Sequence, residues 1–353
     1  MSKKLKVQIF NILFILAVLI GLVIYMINVD GIDNISYILK TANYKWVLLG
    51  VVCLAIDWIL DSMVVYIPLK KMYPKHKYWL SFKTNIAGKF FNNITPFSSG
   101  GQPFQAYILS KHGLRASDTF SVLMMKFVVY QVSLFSWALI LLFTNFSFFK
   151  EAFQAHYFLV LLGFFLNLIA TLAIFIAGIN KNIILKIVNP IIKFGAKIKI
   201  GKFCIVKDVD AALNKAQDSI SNYSNQFNEM KKQKSTLIKM YIAELLHFIA
   251  YFSIPFMIYK AFDNTGTSYV QILTVQTYLL LIMSFIPTPG SGLGAEWCFA
   301  LLYGPIFTNG LNMAILFWRI YIFYLPIIIG ALMFFFITKK EKYIEMPSKF
   351  EKL

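Results

Sequence analysis

Charge is scarce in this sequence, and one sign dominates what there is. Only 14% of its 353 residues are charged, against roughly a quarter in a soluble domain. Lys and Arg number 34 and Asp and Glu 16, for a formal charge of +18. Cysteine is nearly absent. Cys53, Cys204 and Cys298 show no paired spacing, which excludes a disulfide framework or a thiolate metal motif. The four histidines are scattered, so no zinc site is expected. No Walker-type glycine loop is present, so direct use of ATP is not expected either. The expectation is a protein with no cofactor, no metal and no catalytic residue. Arginine is the scarcest charged residue: Arg115 and Arg319 stand against 32 lysines.

What the chain has instead is apolar length. Hydrophobic residues make up 58% of it and aromatics 17%. Runs that reach or exceed the roughly 18 residues that mark a membrane-span candidate recur along it. They are Val7–Val29, Trp46–Leu69, Ser117–Thr144, His156–Ile179, Leu237–Phe262, Tyr269–Ile286 and Asn312–Thr338. The expected fold is an all-α polytopic membrane protein, one domain over residues 1–353. The first run follows Lys3, Lys4 and Lys6, is too long for a signal peptide and lacks a small-residue cleavage site. It is read as a retained helix.

The basic excess gathers in alternate loops. That is the positive-inside pattern, so nucleic acid is not an expected partner. Six lysines and no acid lie from Lys70 to Lys89, and twelve lysines with four acids from Asn180 to Lys239. These loops, the N-terminus and the tail 339–353 are placed in the cytoplasm. The turns Asp30–Lys45, Asn145–Ala155 and Lys260–Ser268 balance to zero, and Gly304–Leu311 is uncharged, so these go outside. A multi-pass protein of a bacterial cell membrane is expected, with both termini cytoplasmic.

Two apolar stretches, Phe82–Leu109 and Pro287–Tyr303, are broken by Pro and Gly. Loop charges put both ends of the first on the cytoplasmic side. Both ends of the second, reached through Tyr269–Ile286, lie outside. The result is about six full spans plus two broken segments that enter from opposite faces. Each segment is either a re-entrant hairpin or a pair of spans. Asn92, Asn93, Ser98, Ser99 and Gln102 favour a re-entrant loop in the first, because polar backbone survives at depth only where protein or water shields it.

The two breaks resemble each other. Thr95-Pro96-Phe97-Ser98-Ser99-Gly100-Gly101 is echoed by Thr288-Pro289-Gly290-Ser291-Gly292-Leu293-Gly294. Paired Gly/Pro breaks in corresponding places point to a transporter site built on inverted repeats. A broken helix exposes N–H groups where its second half begins. Pro103 suits such a helical first turn, and Gly100 and Gly101 let backbone approach a ligand. Gly100, Gly101, Gln102 and Pro103, with Pro289, Gly290, Gly292 and Gly294, are therefore candidates for holding a phosphate head group. A kinked packing helix without a ligand is the competing reading.

Ionisable residues inside spans default to functional candidates. Arg319 in the last span and Glu296 after the second break join the head-group set, since Arg grips phosphate or carboxylate in bidentate fashion. A pair that only neutralises two buried charges is the alternative. Asp57 and Asp61 share one helix face. With Asn92, Asn93, Glu244 and His247 they form a secondary set that could line a polar cavity. Glu244-x-x-His247 resembles half of a di-iron motif, but no second Glu-x-x-His occurs, so metal is not expected. Lys89 and Lys126 are expected to snorkel to the cytoplasmic interface.

Residues 180–236 form a cytoplasmic insertion. Ile183–Phe194, with Lys186 and Lys193, reads as a basic interfacial segment. Val206, Val209, Leu213, Ala216, Ile220, Tyr223, Phe227 and Met230 alternate three and four apart, which predicts an amphipathic helix. It is expected to pack on its neighbour or the membrane rather than to dimerise.

Three stretches in order carry a family resemblance: NNITPFSSGGQPFQAYIL (Asn92–Leu109), IPTPGSGLGAE (Ile286–Glu296) and WRIYIFYLP (Trp318–Pro326). Together they resemble the lysylphosphatidylglycerol synthase transmembrane region, the flippase-like membrane half of the multiple peptide resistance factor family. The resemblance covers nearly the whole chain. It implies that a phospholipid with a modified head group, such as lysyl-phosphatidylglycerol, moves between leaflets and contributes to resistance to cationic antimicrobial peptides. Full-length members carry a soluble C-terminal domain that transfers lysine from lysyl-tRNA to phosphatidylglycerol. The fifteen residues after Thr338 are too few for that domain, so no enzyme activity is expected here. The expected partners are a membrane phospholipid and a separate lipid-modifying enzyme. The membrane part of a lysyltransferase whose chemistry another chain supplies, and a glycolipid or polyprenyl-lipid transporter, are the alternatives. The sequence does not fix the oligomeric state.

Overall fold

The computed structural model describes residues 32–338 except 198, 201–202, 205–207, 287 and 293, together with Ile20 and Ile24. The expected first span Val7–Val29, Leu293 and the tail 339–353 thus fall largely or wholly outside the described residues.

A short helix α1 (Ile32–Thr41) lies where an outside turn was expected. Helix α2 (Tyr44–Met72) follows, its N-terminus capped by the Asn43 side chain accepting from the Lys45 N–H. Its two faces explain its position. Leu48, Val52, Ile56, Ile59 and Met63 are exposed, while Gly50, Leu54, Asp57, Asp61 and Val65 are buried. Each set repeats at three or four residues, so one stripe suits lipid and the opposite stripe carries two carboxylates inward. An apolar outer face and a charged inner face reverse the arrangement of a soluble helix.

Among the described residues, four helices are long and apolar enough to cross a bilayer: Tyr44–Met72, Asp118–Thr144, Lys234–Ala261 and Leu311–Ile337. A fifth candidate joins Phe146–Ala152 to Tyr157–Ala173 at a bend of 118°. The four coincide with expected spans, as does the second arm of the fifth, while its first arm falls in the expected outside turn Asn145–Ala155. The bend was not expected. Phe149 and Phe153 turn inward there and pack against Tyr278, with ring centroids 4.9 and 5.5 Å apart. The burial of two aromatic rings accounts for the short helix replacing an open turn.

Each broken segment is a helical pair with a short turn between its arms. The first has arms α3 (Tyr78–Asn93) and α4 (Gly101–Lys111), the second α11 (Tyr269–Met283) and α12 (Gly294–Tyr303). The arms are 16 and 11 residues long in one pair and 15 and 10 in the other. None reaches the roughly 20 residues that a crossing needs. The turns at their tips, Pro96–Ser98 and Pro289–Ser291, touch each other. Within the first pair the arms meet closely: a Cβ on Gly88 would lie 2.3 Å from the Gln105 amide.

The insertion contains helices α8 (Lys181–Lys197) and α9 (Val209–Lys231). A two-residue ladder, Lys199–Ile200 with Phe203–Cys204, lies between them and is the one β element among the described residues. Helix α9 packs on α8 and on helix α7 (Tyr157–Ile179), and Ser224 donates to the Gly178 carbonyl at 3.0 Å. On α8, Ile183, Ile187, Ile191 and Phe194 form an exposed apolar stripe, as an interfacial helix requires. The main core lies around Phe248, Phe252, Tyr259, Phe299, Tyr303 and Trp318, where α10 (Lys234–Ala261), the second pair and α13 (Leu311–Arg319) converge.

Candidate functional site

The inward carboxylates of α2 meet cations from three other helices. Asp61 receives Lys89 at 2.9 Å and Lys126 at 2.5 Å. Asn85 donates to Asp61 at 2.8 Å and accepts from Lys126 at 3.0 Å. Asp57 lies 3.8 Å from Lys89, and its Oδ1 lies 2.7 Å from His247 Nδ1. On the far side of the imidazole, Nε2 is 3.9 Å from Glu244 Oε1. Asp57, Asp61, Glu244 and His247 are all buried. Buried charges are tolerated only when paired, so the network requires its members together. The expected snorkelling of Lys89 and Lys126 is corrected here: both turn inward, because two uncompensated carboxylates draw them.

A cavity of about 190 Å³ opens on this network. It is lined by Asp57, Lys89 and His247, by Asn92, Asn93 and Ser98 of the first pair, and by Trp58, Tyr130 and Tyr251. Leu280 of the second pair and Ile322 and Pro326 of the last span close it. At ~30 Å³ per water, it holds about six waters, the size of a head group rather than a whole lipid. Of the expected secondary set, Asp57, Asn92, Asn93 and His247 line the cavity, while Asp61 and Glu244 stand one layer behind.

The expected primary set is placed elsewhere. Arg319 is 1% exposed, and four of its N–H donors are engaged. Nε and Nη2 bind Glu296 at 2.7 and 2.8 Å, while Nη1 and Nη2 donate to the carbonyls of Gly290 and Ser291 at 2.9 and 3.4 Å. This arginine clamps the second tip. Directly after it a π-helical turn, Ile320–Tyr324, carries Phe323 over Gly290, where a Cβ would meet the ring at 1.8 Å. Gly290 has φ 57°, so this site needs glycine on both counts. Gly292 and Gly294 bond to each other through the Gly294 N–H at 2.8 Å, and Pro289 opens the turn.

At the first tip, the amides expected to face a phosphate are capped within the chain. The Gly101 N–H donates to Asn92 Oδ1 at 2.7 Å and the Gly100 N–H to Thr95 Oγ1 at 2.9 Å. Gln102 is half-buried and Pro103 exposed. Such local partners satisfy amides that would be costly to leave unpaired at depth. Neither glycine lines the cavity; Ser98 is the tip residue that does.

Asp61, Glu244 and His247 each bring one ligand atom within 4.8 Å of the others. The expectation of no metal looked for a second Glu-x-x-His and overlooked a third donor from another helix. The surroundings fit a metal poorly, because Lys89 and Lys126 already occupy both Asp61 oxygens. Lys89 carries no local motif that marks it as a cavity residue. The available signal was global: two aspartates inside one span must find cations, and few lysines lie inside apolar stretches.

The family model described as lysylphosphatidylglycerol synthase TM region matches residues 9–330. A UPF0104 membrane protein of Archaeoglobus fulgidus is 24% identical over 322 residues, covering 87% of this chain and 91% of that protein.

Proposed function

The chain belongs to the lysylphosphatidylglycerol synthase transmembrane family, and from that premise we propose that it moves a phospholipid between leaflets. One observation carries the proposal: a head-group-sized polar cavity at the junction of two broken helical pairs, inside a multi-pass membrane protein. We read both pairs as re-entrant hairpins that enter from opposite faces and meet tip to tip. Opposed hairpins of matching length fit an inverted repeat, and the site of such a transporter lies where its repeats meet. Lys89 and the tyrosine hydroxyls offer donors to phosphate, and Asp57 faces an amine or hydroxyl group. Lysyl-phosphatidylglycerol carries both chemistries. Cytoplasmic termini, a bacterial cell membrane and a role in peptide resistance accompany this reading. The activity is transport, without chemistry on the lipid.

The test is leaflet exchange in proteoliposomes. Fluorescent phosphatidylglycerol is placed in both leaflets, and dithionite bleaches the outer one. Vesicles with protein should lose the whole signal, whereas protein-free vesicles keep the inner half. Asp57→Asn and Lys89→Met should each slow exchange by roughly tenfold or more, the effect of losing about 1.4 kcal/mol of head-group stabilisation. Equal bleaching with and without protein would sink the proposal.

A second reading draws on the word synthase in the family description: the membrane part of a lipid-modifying system whose catalytic chain is a separate partner. Lysyl-phosphatidylglycerol formed by the purified chain from lysyl-tRNA and phosphatidylglycerol would favour it.

A further inference from the structure

We propose that the cavity takes up an anionic phosphodiester head group together with one proton, and that the proton resides on the pair formed by His247 and Glu244. This rests on the head-group reading above and names what the same cavity exchanges besides lipid.

Glu244 is the starting point. It is fully buried, and neither carboxylate oxygen has a hydrogen-bond partner. A bare carboxylate so placed is strongly disfavoured, so it either holds a proton or borrows one from a neighbour. The neighbour in reach is His247, whose Nε2 lies 3.9 Å from Oε1. The other ring nitrogen, Nδ1, lies 2.7 Å from Asp57 Oδ1. Asp57 and His247 line the cavity, whereas Glu244 does not. The imidazole therefore stands between the cavity and a sealed carboxylate. An imidazole takes a proton on one nitrogen and releases one from the other, which suits it to this position.

The charges around the pair make its proton count matter. Asp57 and Asp61 face it from α2, Lys89 from α3, and Lys126 and Tyr130 from the span Ala116–Thr144. Tyr251 lies on the same helix as the pair, and Arg319 beyond it is matched by Glu296. Two lysines balance two aspartates, so the pair decides the net charge. One proton on the pair leaves the cluster neutral, wherever it sits. A second proton leaves it with one positive charge. An anionic head group beside Lys89 favours that second proton, and its departure releases it. By linkage, the ligand and the proton raise each other's occupancy.

The test uses the purified full-length protein in detergent near pH 7. Dihexanoyl phosphatidylglycerol is added in weak buffer with a pH indicator, and binding is followed in parallel by calorimetry in buffers of different ionisation enthalpy. The wild type should take up about one proton per bound lipid, visible both as a pH change and as a buffer-dependent heat. In the double variant Glu244→Gln with His247→Gln, which leaves the pair no group that holds the extra proton, uptake per bound lipid should fall to near zero. If that variant fails to fold, the buffer dependence of the wild type decides alone. Binding by the wild type without proton uptake overturns the proposal and leaves the head-group reading standing. Failure to bind overturns the head-group reading, and this inference with it.

Discussion

The two helix breaks share a backbone and differ in what holds them. Phe97 and Ser98 have φ of 54° and 51°, and Gly290 and Ser291 have φ of 57° and 53°. The same left-handed step thus occurs at matching positions of the two Thr-Pro turns. Each turn is followed, 31 positions after its threonine, by a cation: Lys126 after Thr95 and Arg319 after Thr288. Here the likeness ends. Arg319 is spent on its own tip, whereas Lys126 reaches the α2 carboxylates. The second tip is locked by a bidentate pair and a phenyl ring, while the first is tied by neutral side chains and offers Ser98 to the cavity. One tip is held as a wall and the other carries the polar surface. Divergent side chains on a shared backbone assign different tasks to equivalent segments.

The largest expected effect tests the wall. Arg319→Ala leaves Glu296 without its partner and two tip carbonyls without donors. Breaking a buried pair from one side costs about 3–5 kcal/mol, so the melting temperature in detergent should drop sharply. A double variant, Arg319→Leu with Glu296→Leu, should recover part of the loss. Full recovery is not expected, because the Gly290 and Ser291 carbonyls remain unserved. A single Arg319→Ala variant that melts like the wild type would end the distinction between wall and cavity.

A smaller effect distinguishes the bases of the two hairpins. The first begins beside His76, whose Nε2 lies 2.7 Å from the Ser81 hydroxyl. Burial, with repulsion from Lys70 and His112, holds His76 down to about 4. The second is closed by Asn264, whose Oδ1 accepts from the Thr308 and Asn309 amides at 2.9 and 3.1 Å. An amide does not titrate. The neutral form of His76 is the native one, so its contribution is complete above the unfolded value of ~6.5 and is lost as pH falls towards about 4. Over that window the loss approaches about 3 kcal/mol. Protection from hydrogen exchange should therefore weaken between pH 6.5 and 4 at 73–81 and stay level at 264–309. His76→Gln should flatten the first profile, and a parallel decline in both hairpins would contradict the assignment.

The sequence made some of this legible and not the rest, for a physical reason. Span positions followed from apolar length, and the likeness of the breaks from two Thr-Pro turns, because both are local properties. Asp57 and His247 stood out because charge inside a span is costly wherever it points. The lysine partner of Asp57 did not stand out. Lys89 pairs across helices, and an isolated lysine near a span end reads as an interfacial anchor. The glycine amides misled in the opposite direction. Gly100 and Gly101 mark the break correctly, but Asn92 and Thr95, a few residues upstream, already satisfy them. An apolar run specifies that its side chain faces lipid or core; only the assembled helices specify which charge meets which.

The smallest effect concerns a tip position where the two breaks share their backbone but not their residue. Phe97 sits at φ 54°, where its counterpart Gly290 sits at φ 57°. A non-glycine residue there costs about 1–2 kcal/mol, and glycine's greater freedom in the unfolded chain offsets part of the relief from removing that strain. The ring is 62% exposed, so little packing within the protein offsets the cost. Phe97→Gly should therefore raise stability by about 0.5 kcal/mol in detergent, while Phe97→Ala keeps the strain and gains nothing. If the ring is retained for what it contacts outside the chain, the order reverses in function: both variants slow lipid exchange equally, although only glycine stabilises. Exchange that tracked stability instead would make the first tip a second wall.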